Sequence, residues 1–165
     1  MKEMEIRQLT KEDLPHVLIV QEDCYSRNLL ENEGTFACKL LLFPEGCLGA
    51  FENGKLIAYV FSHPWSSGEI VPLNESLHSL PKTADCVYIH DIAVMRPWRN
   101  QGIADLLLTR LCHLAHSCSS GRVALVAVNK SEPYWEKYRL RREFSVMYAE
   151  DVPATYMAGV ICRKF

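Results

Sequence analysis

The chain has 165 residues, and 48% of them are hydrophobic, which is enough for a single hydrophobic core. Its formal net charge of −2 excludes the broad positive field that nucleic-acid binding needs. No apolar run reaches the length of a membrane span and the N-terminus lacks the apolar stretch of a signal peptide, so neither a membrane nor a nucleic-acid partner is expected. The seven cysteines are an odd number without C-x-x-C pairs, which favours reduced thiols and a cytoplasmic location over a disulfide framework.

The first half of the chain alternates strand and helix patterns. Apolar and polar side chains alternate over residues 4–9, as they do in a strand. Thr10 and Asp13 form an imperfect capping box for a helix, and Asn53-Gly54 is a strong hairpin signal. We predict, in chain order, a strand over residues 4–9, a helix after Thr10, a helix over 35–43, strands over 47–51 and 56–63, and a long loop over 64–84.

The second half continues this alternation with more strongly apolar strands. Residues 123–128 are apolar at every position, so both faces of that strand are expected to be covered. Residues 103–116 carry a strong amphipathic helical pattern. We predict strands over 87–94, 123–128, 144–148 and 154–162, and a helix over 103–116. The order of elements predicts one α/β domain.

Residues 99–104 join a predicted strand to a predicted helix and read Arg-Asn-Gln-Gly-Ile-Ala. Backbone N–H groups at a helix N-terminus have no intrahelical partner, and the helix dipole favours negative charge there. Gly102 lets the backbone approach a ligand without a Cβ in the way. The pattern therefore predicts a phosphate cradle, with an ordinary tight turn at Gly102 as the alternative.

The same six residues resemble the pyrophosphate signature (Q/R)-x-x-G-x-(G/A) of the GNAT acyltransferases. As in that family, an apolar strand ends at Val94, five residues before Arg99, and Asn129 follows a second apolar strand. Residues 133–137, Pro-Tyr-Trp-Glu-Lys, are similar to the family's F-Y-E-K helix. Within the superfamily the chain is most similar to the arylalkylamine N-acetyltransferase branch, through residues 76–78, 88–94 and 133–138.

This resemblance implies a fold and a cofactor. The fold is a GNAT-type α/β domain over residues 1–165, with a mixed, mostly antiparallel sheet of about seven strands flanked by about four helices. The cosubstrate is acetyl-CoA, whose pyrophosphate would accept N–H bonds from the cradle and whose pantetheine arm would bond Asn129, for which a turn or cap role is the alternative. The residues expected to bind acetyl-CoA are Ile92, Ala93, Val94, Arg99, Asn100, Gln101, Gly102, Ile103, Ala104, Asn129 and Trp135.

The strand over residues 87–94 carries the expected proton acceptor. In a regular strand Tyr88, His90 and Ile92 share one face, and Asp91 points to the other. By resemblance, Tyr88 and His90 occupy the positions where the arylalkylamine branch carries two histidines. A base that titrates near pH 7 is best suited to remove the ammonium proton of an amine. We expect His90 to be this base, with Tyr88 holding a water or lining the pocket; the alternative is a structural histidine bonded to Asp91 or to a loop carbonyl.

The helix near residues 133–137 departs from the family pattern. Trp135 stands where the family usually has the tyrosine that protonates the leaving CoA thiolate. An indole N–H only donates and does not titrate, so Trp135 is not an ordinary general acid. Tyr134 and Tyr138 are candidate replacements, and helical spacing slightly favours Tyr138. The alternatives are departure of the thiolate without an acid and a packing role for these aromatic residues.

Two further clusters of polar side chains lie outside the expected acetyl-CoA and amine sites. The arginines at positions 139, 141 and 142 are expected to be a solvated face, with contact to the CoA 3′-phosphate as the alternative. The cysteine and histidines of the helix over 103–116 lie at its outer end, so no metal is expected.

Together these features predict an acetyl-CoA-dependent N-acetyltransferase that acts on a small primary amine by direct transfer in a ternary complex. An aromatic amine is suggested by the branch resemblance, and a monomer or homodimer is expected. Two other functions stay open. A non-catalytic acyl-CoA-binding module is favoured by Trp135, and a protein N-terminal acetyltransferase would need an open groove for a peptide.

Overall fold

Within residues 2–161, the part of the chain that this computed structural model describes, seven strands form one sheet and four α-helices pack against it. The strands are β1 Met4–Gln8, β2 Cys47–Glu52, β3 Lys55–Trp65, β4 Cys86–Val94, β5 Arg122–Ala127, β6 Arg141–Ala149 and β7 Val152–Val160. The helices are α1 Leu14–Cys24, α2 Glu33–Leu42, α3 Ile103–Ser119 and α4 Glu132–Glu136. Short 3₁₀ turns cover Lys11–Asp13, Arg27–Leu29, Pro44–Gly46 and Arg96–Trp98.

The strand order is β1-β2-β3-β4-β5-β7-β6, and all neighbours are antiparallel except β4 and β5. That parallel pair needs a long crossover, which α3 provides. The predicted mixed, mostly antiparallel sheet of seven strands with four helices is confirmed. Both strands of the last hairpin begin earlier than predicted, at Arg141 and Val152, and Cys162 lies outside the described residues.

The helices cover both faces of the sheet. On one face, α1 and α2 enclose Tyr59 and Phe61 of β3, whose rings pack against Phe36 of α2. On the other face, α3 buries Leu107 and Leu111 against β3, β4 and β5. Each large apolar side chain buried in this way contributes roughly 1.5–3 kcal/mol. This coverage explains why the middle strands are apolar at nearly every position.

Two local turn signals form as predicted. Asn53 and Gly54 both have positive φ, 49° and 79°, as a tight hairpin turn requires. The Thr10 N–H donates to the Asp13 carboxylate at 2.7 Å, and Asp13 also pairs with Arg7 at 2.8 Å. The helix after Thr10 therefore starts as a 3₁₀ turn and continues as α1.

The loop over residues 66–85 is fastened to the body of the protein. Its Gly68 N–H donates to the Tyr156 hydroxyl at 2.7 Å, and its Asn74 N–H donates to Oε2 of Glu31 at 2.8 Å. Val71 of the loop is buried against the sheet. The loop therefore forms a fixed wall beside β4 on the α1/α2 side.

β4 contains a β-bulge at His90. Phe61 of β3 faces Asp91, but the next β3 residue, Ser62, faces Ile89. His90 is thus an extra residue with no partner in β3. Because side chains alternate with a period of two, one extra residue moves every later side chain of the strand to the opposite face.

The predicted alternation along β4 is wrong because of this bulge. We expected Tyr88, His90 and Ile92 on one face and Asp91 on the other. Instead Asp91 accepts a hydrogen bond from Tyr59 on the α1/α2 side, the side on which Tyr88 and His90 approach each other. Ile92 packs on the α3 side. Tyr88, His90 and Asp91 are thereby brought to the same side of the sheet.

A buried histidine of β3 makes the folding stability depend on pH. His63 is fully buried, its Nδ1 lies 3.0 Å from the Pro64 carbonyl oxygen, and burial lowers its pKa from 6.5 to about 4. Between these two values the unfolded chain binds more protons than the folded one, so stability rises with pH across that window. We expect the free energy of unfolding to fall by up to about 3 kcal/mol as the pH drops from about 6.5 to about 4.

Chemical denaturation at a series of pH values measures this effect. His63→Gln should flatten the dependence of the unfolding free energy on pH above about pH 4.5. Carboxylates such as Asp13 contribute little there, because the pKa of Asp13 is lowered from 3.8. His16→Gln is the matched control, since this histidine of α1 is exposed. An unchanged slope in His63→Gln would assign the titration to another group.

Candidate active site

A cavity of about 720 Å³ opens where β4 and β5 diverge. The two strands pair only through residues 87–89 and 123–125, and beyond that point a gap lies between them. The N-terminus of α3, the start of α4 and the loop over residues 66–85 border the gap. Ligands of sheets with parallel strands bind beyond the carboxyl ends of strands that part in this way.

The far half of β4 presents backbone groups to this cavity. The Met95 N–H donates to the Ile57 carbonyl at 2.9 Å. Because hydrogen-bonded and non-hydrogen-bonded pairs alternate in an antiparallel ladder, Ile92 and Val94 turn their N–H and C=O groups away from β3. The Val94 carbonyl accordingly accepts a hydrogen bond from Nε of Arg99 at 2.9 Å. Two backbone N–H groups thus face the gap.

The turn before α3 has the geometry of an anion cradle. Gly102 is left-handed, with φ 77°, and α3 begins at the next residue. Within residues 2–161, the N–H groups of Gly102, Ile103 and Ala104 have no acceptor. A Cβ built on Gly102 would meet no atom within 4 Å. The turn therefore borders open space with unpaired donors and the positive end of a helix dipole.

His90 is buried and paired with a carboxylate. Its Nε2 lies 2.7 Å from Oε1 of Glu31, and the two side chains are 1% and 3% exposed. Burial raises the pKa of Glu31, but bonds from His90 and the Asn74 N–H outweigh it, so the pKa lies below its usual value. Nδ1 of His90 is buried without a partner among the described residues. The histidine is therefore bonded to Glu31 rather than to Asp91 or a loop carbonyl.

Asp91 is a second carboxylate of the cavity wall and is half-buried. It accepts hydrogen bonds of 2.6 Å from the hydroxyls of Tyr25 and Tyr59. Burial raises its pKa in spite of these two bonds, and burial together with the charge of Asp91 raises the pKa of both tyrosines. The bulge at His90 places this carboxylate here, on the face opposite to the one that simple alternation predicts.

α4 brings Tyr134 and Trp135 to the cavity wall and leaves Tyr138 outside it. The Tyr138 hydroxyl donates to Asp105 of α3, whereas the Tyr134 hydroxyl is buried without a partner among the described residues. Burial, with the charge of Asp105 second, raises the pKa of Tyr134 to about 12. Tyr138 is buried in the same core as Trp135, as its spacing predicted, but its hydroxyl is bonded to Asp105 and the residue does not line the cavity.

Most of the predicted acetyl-CoA-binding residues line the cavity. They are Ile92, Ala93, Val94, Arg99, Asn100, Gly102, Ile103, Ala104, Asn129 and Trp135. Gln101 is not among them, and its side-chain amide donates to the Pro97 carbonyl instead. Of the predicted catalytic residues, His90 and Tyr134 line the cavity. Tyr88 does not, because it is buried against Tyr156 beneath the loop over 66–85.

Several residues of the cavity carried no sequence signal. Those that sequence patterns did not indicate include Cys24, Leu29, Glu31, Leu73, Asp105 and Tyr148. They come from the end of α1, the segment before α2, the long loop, α3 and β6, which are far apart in the chain. Leu29, Leu73 and Tyr148, together with Tyr25, give one end of the cavity an aromatic and apolar wall.

The basic cluster lies far from the cradle. Arg139, Arg141 and Arg142 border a separate cleft together with His116 near the end of α3. The cradle is at the other end of this helix, which has 17 residues and is therefore about 25 Å long. The arginines are thus not placed to contact a phosphate group held at the cradle.

Among residues 2–161, no helix combines the length and apolar character needed to cross a membrane. Over the same part of the chain, histidine, cysteine and acidic side chains form no cluster of three or more that could hold a metal ion.

Comparisons with known proteins identify the family of this chain. The profile described as "Acetyltransferase (GNAT) family" matches residues 4–140. Serotonin N-acetyltransferase from Mesocricetus auratus is 32% identical over 100 residues, which are 60% of this chain and 47% of that protein. The chain thus spans about half the length of this relative. The uncharacterized N-acetyltransferase YkwB from Bacillus subtilis (strain 168) is 26% identical over 169 residues, 89% of this chain and 69% of YkwB.

Solved structures show the same fold. The loading GNATL domain of CurA from Lyngbya majuscula superposes with a TM-score of 0.79, at 13% identity, over 94% of this chain and 96% of that one. At this level of identity the likeness extends to the fold alone.

Proposed function

The chain belongs to the GNAT acetyltransferase family, and on that premise we propose that it transfers the acetyl group of acetyl-CoA to a small primary amine by direct attack in a ternary complex. The observation that carries the proposal is the cavity between β4 and β5. An anion cradle, two backbone N–H groups and a buried histidine border this one space. Holding both reactants there converts a bimolecular step into an effectively unimolecular one.

The turn before α3 would hold the pyrophosphate of acetyl-CoA. The N–H groups of Gly102, Ile103 and Ala104 have no acceptor within residues 2–161, and the missing Cβ at Gly102 leaves room for a phosphate oxygen. The guanidinium of Arg99 borders the same space. Asn129, at the mouth of the gap, would bond the amide groups of the pantetheine arm. Bound acetyl-CoA supplies the activated acetyl carbonyl.

The exposed edge of β4 would polarise that carbonyl. The N–H groups of Ile92 and Val94 turn away from β3 into the gap. Donors fixed in this way stabilise the negative charge that develops on the carbonyl oxygen as the amine attacks. No reorganisation of the backbone is required at that moment, because the pairing of β4 with β3 holds both groups in place.

His90 would receive the proton of the ammonium group. An amine must be neutral to attack, and a histidine in the cavity wall is suited to accept its proton at neutral pH. Tyr134 would assist the leaving group. With a pKa near 12 its hydroxyl keeps its proton, and it can donate a hydrogen bond to the departing CoA thiolate, whose pKa is about 8.5.

Arylalkylamines are the first acceptors to test. The end of the cavity beyond His90 is lined by Tyr25, Leu29, Leu73 and Tyr148, which suits an amine on an apolar or aromatic stem. The resemblance to the arylalkylamine branch points the same way, as does the name of the serotonin N-acetyltransferase relative.

Release of CoA thiol from acetyl-CoA tests the proposal. The panel contains arylalkylamines, alkylamines, polyamines, amino acids and peptides with a free N-terminus. We expect release with at least one small primary amine. The paired variants Tyr134→Phe and Tyr138→Phe each remove one tyrosine hydroxyl. Tyr134 lines the cavity and Tyr138 does not. We expect Tyr134→Phe to lower kcat about 10-fold at unchanged acetyl-CoA affinity and Tyr138→Phe to stay near the parent.

The other outcomes identify the competing functions. Binding of acetyl-CoA without release by any amine would point to a non-catalytic binding module. Release with peptides alone would point to a protein N-terminal acetyltransferase. Equal activity of both tyrosine variants and the parent would remove Tyr134 from the mechanism while leaving the transfer reaction itself in place.

A further inference from the structure

Glu31 is the carboxylate that touches the imidazole of His90. We infer that Glu31 is a positioning residue: it holds the Nε2 proton of His90, so that Nδ1 is the atom that receives the proton of the acceptor amine. The inference rests on the proposed function, because it assigns a part in the same transfer. It goes further by naming the accepting atom and the residue that selects it.

The tautomer follows from the contact. A carboxylate with a lowered pKa only accepts hydrogen bonds, so the 2.7 Å contact with Nε2 requires a proton on that nitrogen. A neutral imidazole then has its lone pair on Nδ1. This atom is buried and has no partner among the described residues, although His90 belongs to the cavity wall. Nδ1 is thus the unfilled acceptor of a side chain that lines the cavity, and the amine proton is assigned to this atom.

Glu31 is itself held on several sides. Its Oε2 accepts the Asn74 N–H at 2.8 Å. Its backbone N–H donates to Oε1 of Gln21 at 3.1 Å, and its carbonyl accepts from Nε2 of Gln21 at 2.6 Å. α1 therefore fixes the backbone of Glu31 and the long loop fixes its carboxylate, and together these contacts restrict the orientation of the imidazole.

Other titratable groups surround the pair. Lys39 of α2 is fully buried, and its Nζ donates to the Thr35 carbonyl at 3.1 Å. The remaining groups that act on Glu31 or His90 are Asp91 and Tyr88 of β4, His63 of β3 and Tyr148 of β6. Within residues 2–161 none of them forms a hydrogen bond with the imidazole. Glu31 is thus the group that is hydrogen-bonded to the imidazole and orients it, and its carboxylate is in contact with the ring when the ring is protonated.

His90 acts in the step that deprotonates the acceptor amine. The ammonium N–H bond breaks and its proton passes, through a water in the cavity, to Nδ1 of His90. The electron pair stays on the amine nitrogen, which attacks the thioester carbon. Collapse of the tetrahedral intermediate breaks the C–S bond and releases CoA thiolate, and the second amine proton is lost to water or to that thiolate. The imidazolium formed on the way lies against the Glu31 carboxylate, which stabilises it.

Nitrogen-15 NMR of the full chain tests the tautomer without any assay of activity. The ring nitrogens of histidine are labelled, and the His90 signals are assigned by their loss in His90→Gln. We expect a protonated Nε2 and an unprotonated Nδ1 for the neutral ring. A neutral ring protonated on Nδ1 would overturn the inference, whether or not the protein acetylates an amine.

Glu31→Gln tests the catalytic consequence, with Glu33→Gln as the matched control at an exposed position two residues away. We expect Glu31→Gln to lower kcat/KM about 10- to 100-fold, to leave acetyl-CoA affinity within about twofold, and to move the acidic limb of the pH profile of kcat/KM to lower pH. The limb moves because the protonated ring loses its anionic partner. A merely structural role would lower activity without moving the limb.

The outcomes separate this inference from the proposed function. Parental activity and an unmoved pH profile in Glu31→Gln would overturn it even if the parent is a good acetyltransferase. If the parent transfers no acetyl group, the proposed function fails, and the labelled histidine still reports whether Glu31 selects the tautomer. If Glu31→Gln is unfolded by circular dichroism, Glu31→Asp serves as the second carboxyl variant and should keep the Nε2 tautomer with a smaller loss of kcat/KM.

Discussion

Gly102→Val should abolish the binding of acetyl-CoA and leave the sheet folded. Gly102 is left-handed, with φ 77°, a conformation that is strongly unfavourable for a β-branched residue. The new side chain would also occupy the open space outside the turn, where a Cβ meets no protein atom and where the phosphate oxygens would lie. Both effects remove the close approach of backbone donors to the ligand. Isothermal titration with acetyl-CoA measures the affinity.

Gly68→Val is the matched control for this variant. Gly68 has a similar φ of 85°, and a Cβ there also meets nothing within 4 Å, but it lies in the loop over residues 66–85 away from α3. The two variants should lose similar stability, about 1–2 kcal/mol from the left-handed conformation, and only Gly102→Val should lose acetyl-CoA. A folded Gly102→Val protein with parental affinity would contradict the cradle.

Replacement of His90 should give the largest loss of turnover. We expect His90→Gln to lower kcat/KM by about 10- to 10⁴-fold at neutral pH with little change in acetyl-CoA affinity. Glutamine is preferred to alanine, because its amide can still donate to the buried Glu31 carboxylate, and an unpaired buried charge is strongly destabilising. The loss should shrink at high pH, where the free amine no longer needs a base.

Steady-state kinetics across pH check this expectation with an amine identified by the CoA-release assay. His16→Gln, on the exposed side of α1, is the control for the substitution itself. Full activity of His90→Gln at neutral pH would transfer the role to another group. Asp91 is then the next residue to examine, since it is a carboxylate of the same cavity wall whose pKa is raised by desolvation.

The features that sequence patterns identified are local ones. The turn before α3 depends on a strand, a glycine and a helix that are contiguous in the chain, and all three are present where they were expected. The hairpin at Asn53 and Gly54 is contiguous in the same way. Apolar patterns and turn signals likewise located the seven strands and α1 to α3, although the last hairpin begins earlier than predicted, at Arg141, and α4 was located by the family resemblance.

The features that sequence patterns missed depend on register or on contacts between distant segments. The bulge at His90 exists only relative to β3, because it is the pairing with Phe61 and Ser62 that leaves one residue over. A period of two read from β4 alone therefore assigned Asp91 to the wrong face. The contact of Tyr138 with Asp105 of α3, a residue 33 positions away in the chain, is likewise a tertiary feature, and it leaves Tyr134 as the tyrosine of this segment that lines the cavity.

By itself, then, the sequence determined the order of elements, the family and the position of the turn before α3, since each is recognised from short motifs or patterns of residues that are near neighbours in the chain. Tertiary structure alone decided the surroundings of His90. Its partner Glu31 lies 59 positions away in a segment without a motif, and the two meet because α1 and the loop over residues 66–85 hold Glu31 against the bulge. Burial of both side chains then strengthens the electrostatic interaction between them, because water, which screens such interactions at a surface, is excluded.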